Sequence, residues 1–243
     1  MHKYIRFFIF LLFFTIISVL IYKYRRSIPT PQSIVENIAP APTVIQKNGL
    51  PNKHLIKTIF IPQAPEKIWD QPWQDSCEEA ALLTVYYYYK NINPGLTTIL
   101  ADFQKIFDLE KQENLSHDVN INQMATISAK LWDYQTKIID NPTIDEFKKY
   151  LSQNIPIIIP ANGKTLFKEN THFKSGGPWY HNIVLLGYDD DKKIFTVHDV
   201  GTQFGPYFHY TYGTLMKSIH DFPVSLNKED IDIGTPRVLL LLK

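Results

Sequence analysis

Only one residue in this sequence of 243 can act as a strong nucleophile: Cys77, its sole cysteine. It stands in the segment Gln71-Pro-Trp-Gln-Asp-Ser-Cys77-Glu-Glu-Ala-Ala-Leu-Leu83. Asp75 or Ser76 is suited to cap a helix whose first turn holds Cys77, Glu78 and Glu79. A thiol there faces unpaired backbone N–H groups and the positive end of the helix dipole, and both favour the nucleophilic thiolate. Helical spacing is expected to splay Glu78 and Glu79 outward, where they complement the dipole without opposing the thiol. An isolated cysteine is more often a small buried hydrophobe, so the assignment turns on whether a base exists.

Eight histidines compete for that role. His2, His54, His117, His172, His209 and His220 fall in polar, aromatic or terminal positions with no evident partner. His181 differs, because it begins the apolar stretch Asn182-Ile-Val-Leu-Leu-Gly187, where an imidazole is otherwise poorly placed. Two such stretches, His181 to Tyr188 and Ile194 to Asp199, flank the turn signal Asp189-Asp-Asp-Lys-Lys193 and predict a hairpin. Folding it brings residues near 199 to 201 opposite His181, within reach of a side chain on the neighbouring strand. Asp199 is therefore placed to orient His181 and to stabilise its imidazolium. Strand alternation turns His198 to the other face, so a metal site built from His181, His198 and Asp199 fails on geometry. With no further cysteine, no disulfide and no multi-cysteine metal motif is possible; no cofactor is expected.

The elements that must carry these residues read as α+β. Helices are expected at Glu78–Lys90, at about 97–107 and at Asn120–Trp132. Thr143 and Glu146 form a capping box that opens a further helix to Gln153. Strands are expected at Leu55–Ile61, Gln135–Ile139, Ile155–Pro160, in the hairpin and at Val238–Leu242, with a helix over Tyr210–His220. Upstream, the uncharged run Phe7–Tyr22 is bracketed by Lys3, Arg6, Lys23, Arg25 and Arg26. At 1.5 Å per residue it is just long enough for a membrane anchor whose flanking basic residues snorkel. Five prolines between Ser27 and Pro51 make the following stretch an extended tether. The expected organisation is an anchor at 1–26, a linker at 27–54 and one domain at 55–243. It would sit on the cell membrane with the domain exported. With Lys+Arg 25 against Asp+Glu 24, nothing drives nucleic-acid binding.

Several segments together resemble a known family. Gln63-Ala-Pro, Trp69 and Gln74-Asp-Ser-Cys77-Glu-Glu-Ala-Ala-Leu are similar to the cysteine motif of papain-like peptidases related to the double-glycine-leader (bacteriocin-processing) peptidases. Gly177-Pro-Trp-Tyr-His181-Asn-Ile-Val-Leu-Leu-Gly187-Tyr-Asp resembles their histidine motif, and Thr196-Val-His-Asp199-Val-Gly their acidic motif. Cys77-Glu-Glu replaces the usual Cys-Gly-Pro, and there is one candidate span, so the resemblance points to a stand-alone, membrane-anchored branch.

The resemblance implies a papain-like fold, with a nucleophile helix packed on an antiparallel sheet that carries base and acid. It implies Cys77 as nucleophile, His181 as general base, Asp199 as orienting acid, and a glutamine that completes the oxyanion hole with the Cys77 N–H. Gln71 has the familiar six-residue offset, and Gln63 stands in the Gln-x-Pro position; both remain candidates, ahead of Gln74. The implied reaction is hydrolysis of a peptide or protein substrate through a thioester. The alternatives are amide or acyl transfer by the same triad, or an inactive papain-like binding module.

Overall fold

The change from helical to alternating periodicity along the sequence marks a real change in structure, helices first and sheet later. The computed structural model describes residues 49–243. The expected anchor and all but the last residues of the linker lie outside that range. Among the described residues no helix is long and apolar enough to cross a membrane.

Three helices lead: α1 (Cys77–Lys90), α2 (Leu96–Gln112) and α3 (Ile121–Trp132). The Asn120 side chain accepts from the backbone of Asn122 and Gln123, and the Gln123 side chain accepts from the Asn120 N–H, so α3 starts on a capping box. The expected Thr143–Glu146 box opens α4 (Ile144–Ser152) in the same way.

The sheet comprises β1 (Lys53–Leu55), β2 (Gln135–Asp140), β3 (Ile157–Asn162), β4 (Tyr180–Asp189), β5 (Ile194–Asp199), β6 (Phe208–Thr211) and β7 (Arg237–Leu242). It runs β2-β7-β3-β4-β5-β6, with antiparallel pairing throughout. β3 covers β4 from Tyr180 to Leu185, and β1 takes over at Gly187 to Asp189. Short helices α5 (Gly163–Leu166) and α6 (Tyr212–Ser218) complete the set. Helices and an antiparallel sheet in this order give the expected α+β, papain-like fold.

Two expectations need correction. The strand over Leu55–Ile61 is realised only at Leu55. Beyond it only the Ile56 N–H still bonds β4, at the Leu186 carbonyl, and at Thr58 a side chain takes over: its N–H donates to the Tyr207 hydroxyl, which donates in turn to the Thr58 carbonyl. The stretch Tyr210–His220 is not helical from its start. Phe208–Thr211 pairs with β5 as an edge strand, and the Thr211 side chain then caps α6 by accepting from the Thr214 N–H. β1 itself spans the point at which the tether was expected to give way to the domain.

The core lies between α1 and the sheet, and α1 packs chiefly on β4. Leu82, Leu83 and Val85 are wholly excluded from water, each contributing about 1.5–3 kcal/mol of hydrophobic burial. Enclosure on all sides has a cost. Glu79 of α1 meets Glu110 of α2 carboxyl to carboxyl, and one oxygen of each is buried without a hydrogen-bond partner. Burial first, then the charge of Glu110, pushes the Glu79 carboxyl well above its ordinary value.

Below the ordinary carboxylate range both folded and unfolded chains keep the Glu79 proton. As pH rises the unfolded chain ionises first, so stability falls through the raised folded value. Glu79→Gln removes that loss. Urea denaturation should show the variant gaining about 1–2 kcal/mol over wild type at pH 8 and much less at pH 5.

Candidate active site

His181 opens β4 and Asp199 closes β5, and their relation is set by one extra residue. From the turn inward the strands pair Asp189 with Ile194, Tyr188 with Phe195 and Gly187 with Thr196. The register then shifts: Leu185 faces Val197 and Ile183 faces Asp199, with Leu186 bulged between. Without the bulge Asp199 would oppose Val184 and share its face. With it, Asp199 lies on the face of Ile183 and His181, diagonal to His181. The result is an imidazole Nε2 2.8 Å from Asp199 Oδ1, both side chains buried.

Asp199 is wholly enclosed. Its Oδ2 accepts from the Asn170 amide at 2.8 Å and from the Tyr210 hydroxyl, and its Oδ1 also receives the Gly201 N–H at 3.3 Å. Burial pushes its carboxyl up, but the charge and hydrogen bond of His181 and the bonds from Tyr210 and Asn170 outweigh this and hold it below its ordinary value. It is therefore a fixed anion behind the imidazole. Phe173 meets the ring edge-to-face at 5.2 Å, and Gly201 lies flat against it. Because Nε2 is committed to Asp199, Nδ1 is the ring nitrogen left for proton transfer.

Cys77 begins α1 and lines a cavity of about 610 Å³ together with His181. Its surroundings overturn two expectations. Neither Asp75 nor Ser76 caps the helix; the Ser76 hydroxyl donates back to the Pro72 carbonyl at 2.7 Å. Nor do Glu78 and Glu79 splay outward, because the first turns of α1, Cys77 to Val85, are enclosed on every side; both are buried. The Cys77 thiol donates to Glu78 Oε2 at 2.9 Å, and Glu78 Oε1 accepts the Val119 N–H at 3.0 Å. The Asn182 amide reaches the sulfur at 3.8 Å. Burial, then the charge and hydrogen bond of Glu78, raise the thiol well above its ordinary value. A helix terminus is worth about 0.3–1 kcal/mol at exposed sites, too little to offset a buried carboxylate in contact.

The two glutamine candidates separate. Gln63 is buried at the cavity, and its amide donates to the Trp73 and Gln74 carbonyls at 3.1 and 2.9 Å. Gln71 is exposed, bonded to Asp75 and absent from the cavity lining. Gln74 lines the cavity beside Gln63. His198 lies on the other face, as alternation predicts. It accepts the Tyr207 N–H and bonds the Thr58 carbonyl, and burial lowers it to about 4. Among the described residues no group of three or more His, Cys, Asp or Glu could hold a metal ion.

Sequence reasoning missed Asn170 and Tyr210, which hold Asp199, because no spacing marks them. It also left His172 without a partner; the ring stacks on Phe204 at 4.5 Å on the cavity wall. The consecutive tyrosines 86–89 of α1 serve packing: Tyr86 stacks on Trp132, and Tyr87 donates to Asp102, Tyr88 to the Asn154 carbonyl and Tyr89 to the Leu241 carbonyl.

A family model, the Peptidase_C39 like family, matches residues 56–219, more than half of the sequence. The chain belongs to this family. Among solved structures, a C39-like peptidase from Bacillus anthracis is 14% identical, with a TM-score of 0.35 over 52% of this chain and 60% of that one. The chain thus spans less than two thirds of that relative's length. No curated protein gives a significant match.

For this C39-like chain, the space around the imidazole is the quantity to perturb. A Cβ at Gly201 would lie 2.6 Å from His181 Cε1 and 3.0 Å from Nε2, so Gly201→Ala must push the ring aside. Such misplacement costs on the order of 10²-fold in rate. Peptidase kcat/KM should fall by about that factor, with the melting temperature within a few degrees of wild type.

Proposed function

We propose that this chain hydrolyses peptide bonds through a Cys77–His181–Asp199 triad. His181 Nδ1 takes the Cys77 proton, and the sulfur attacks the peptide carbonyl. The tetrahedral oxyanion is held by the Cys77 N–H and by Gln63, and His181 returns its proton to the leaving amine. A thioester remains, and water activated by His181 hydrolyses it. The observation that carries this reading is a buried, carboxylate-bonded imidazole in the same cavity as the sole cysteine of a C39-like chain.

Gln63 supports the oxyanion role by position. A primary amide has two N–H donors. The shorter bond, to the Gln74 carbonyl, fixes its plane; releasing the longer one, to Trp73, frees an N–H toward the cavity. Trp69, Trp179 and Phe204 are partly exposed on the cavity wall and form an apolar rim that suits an extended peptide. The run Phe7–Tyr22 and the proline-rich stretch behind it would tether this domain to the cell membrane, with the domain exported.

Incubation of the full chain with a mixed peptide pool, followed by mass spectrometry, tests the reaction. New N-termini should appear with wild type and vanish with Cys77→Ala and His181→Ala. Persistent cleavage by Cys77→Ala would remove Cys77 from the chemistry. Gln63→Ala should lower kcat by about 10²–10³-fold with KM little changed, whereas Gln71→Ala should stay within about twofold of wild type.

A further inference from the structure

In this structure the only thiol does not bond to the base. Its hydrogen bond runs to Glu78 at 2.9 Å, and the second oxygen of that carboxyl is pinned by the Val119 N–H at 3.0 Å. Glu78 is fully buried, and no cation pairs with it among the ion pairs of the described residues. Lys228, on the wall of the same cavity, is spent on Asp75 and Asp118, at 3.3 Å from each. A carboxyl fixed at one oxygen and accepting a thiol at the other is a geometry that holds a proton on sulfur.

We propose that Glu78 is a positioning residue that parks Cys77 as a neutral thiol, and that substrate filling the cavity releases it to His181. The inference rests on Cys77 being the nucleophile. On release the S–H···Oε2 bond breaks, the proton passes from Sγ to His181 Nδ1, and the thiolate and imidazolium form together; no other reactant is required. The Asn182 amide, already 3.8 Å from the sulfur, remains as a donor to the thiolate. Its own oxygen is buried without a hydrogen-bond partner, and its amide also bonds the Tyr180 side chain.

The groups that face Glu78 agree with this reading. Cys77 and Glu79 adjoin it on α1, Asp118 approaches from the segment before α3, and Tyr180 comes from β4. Tyr180 donates its hydroxyl to the Val119 carbonyl and so helps hold the residue whose N–H pins the carboxyl. Burial and then Asp118 push Glu78 upward, and Glu78 in turn pushes the thiol upward. Burial and a carboxylate in contact therefore both keep the proton on sulfur.

Because Cys77 is the only cysteine, iodoacetamide reads this site alone in the full-length protein. Glu78→Gln preserves an acceptor for Val119 and removes the charge beside sulfur. Its alkylation at pH 7 should be about tenfold faster than wild type, with the rate–pH midpoint displaced to lower pH. Glu79→Gln, a buried carboxylate on the same helix that faces Glu110, should change the rate by less than about threefold. A Glu78→Gln rate equal to or below wild type overturns the proposal.

If Glu78→Gln does not fold, infrared spectroscopy of the wild type decides. A hydrogen-bonded S–H stretching band at neutral pH, absent in Cys77→Ala, supports a parked thiol, and absence of the band from wild type overturns it. The two readings fail separately. Peptide cleavage that survives Cys77→Ala defeats the triad, whereas an unaltered Glu78→Gln rate defeats only the latch.

Discussion

Side chains on a strand alternate between faces, so a partner on the next strand is reachable only when the register has the right parity. In the β4–β5 hairpin that parity is set by Leu186. This one unpaired residue moves Asp199 from the face of Val184 to that of His181. Its surroundings are built to keep it there. The Leu186 carbonyl accepts the Ile56 N–H at 2.8 Å, and a Cβ on Gly187 would come within 2.4 Å of the His54 carbonyl. The bulge is thus clamped by the segment that runs on to Gln63, whose N–H bonds the Val200 carbonyl at 3.0 Å. One irregularity in the ladder ties together the base, the acid and the amide proposed for the oxyanion.

The electrostatics of the cavity follow from enclosure more than from helix polarity. A thiol at a helix start has a modest bias toward thiolate, but here the first turn is packed against other elements on every side. Two glutamates that would complement the dipole in water instead lie buried, one against sulfur and one against another glutamate. Asp199 is treated in the opposite way. It is as deeply buried, but four donors converge on it and keep it ionised. Burial is common to all three carboxyls, and the number of donors supplied to each decides its charge.

Much of this was legible in the residues. Most helices and the hairpin follow from periodicity, capping boxes and an acidic turn, and the His181–Asp199 pair follows from folding that hairpin. The sole cysteine gave the candidate nucleophile, and the resemblance in the motifs narrowed the glutamines to two. What pattern could not supply was three-dimensional enclosure. Whether Glu78 points at sulfur or at water depends on what covers α1, which includes the segment before α3 and the start of β4. Likewise Asn170 and Tyr210 reach Asp199 from distant loop and edge-strand positions that share no period with it. The early end of β1 had no sequence signal, because Thr58 trades its ladder bonds for a tyrosine hydroxyl far along the chain.

The sheet order also carries a consequence for timing. β7 lies inside the sheet, between β2 and β3, although it is drawn from residues 237–242. Until those residues leave the ribosome, β2 has no strand to join, and the helices that frame Cys77 lean on a divided sheet. Lys228, which ties the loop before Cys77 to the loop before α3, arrives only shortly earlier. Synthesis at about 5–20 residues per second therefore leaves a growing chain that carries its nucleophile, base and acid without the frame that aligns them. The peptide-cutting site proposed here would be assembled only once residues 237–242 have joined the sheet.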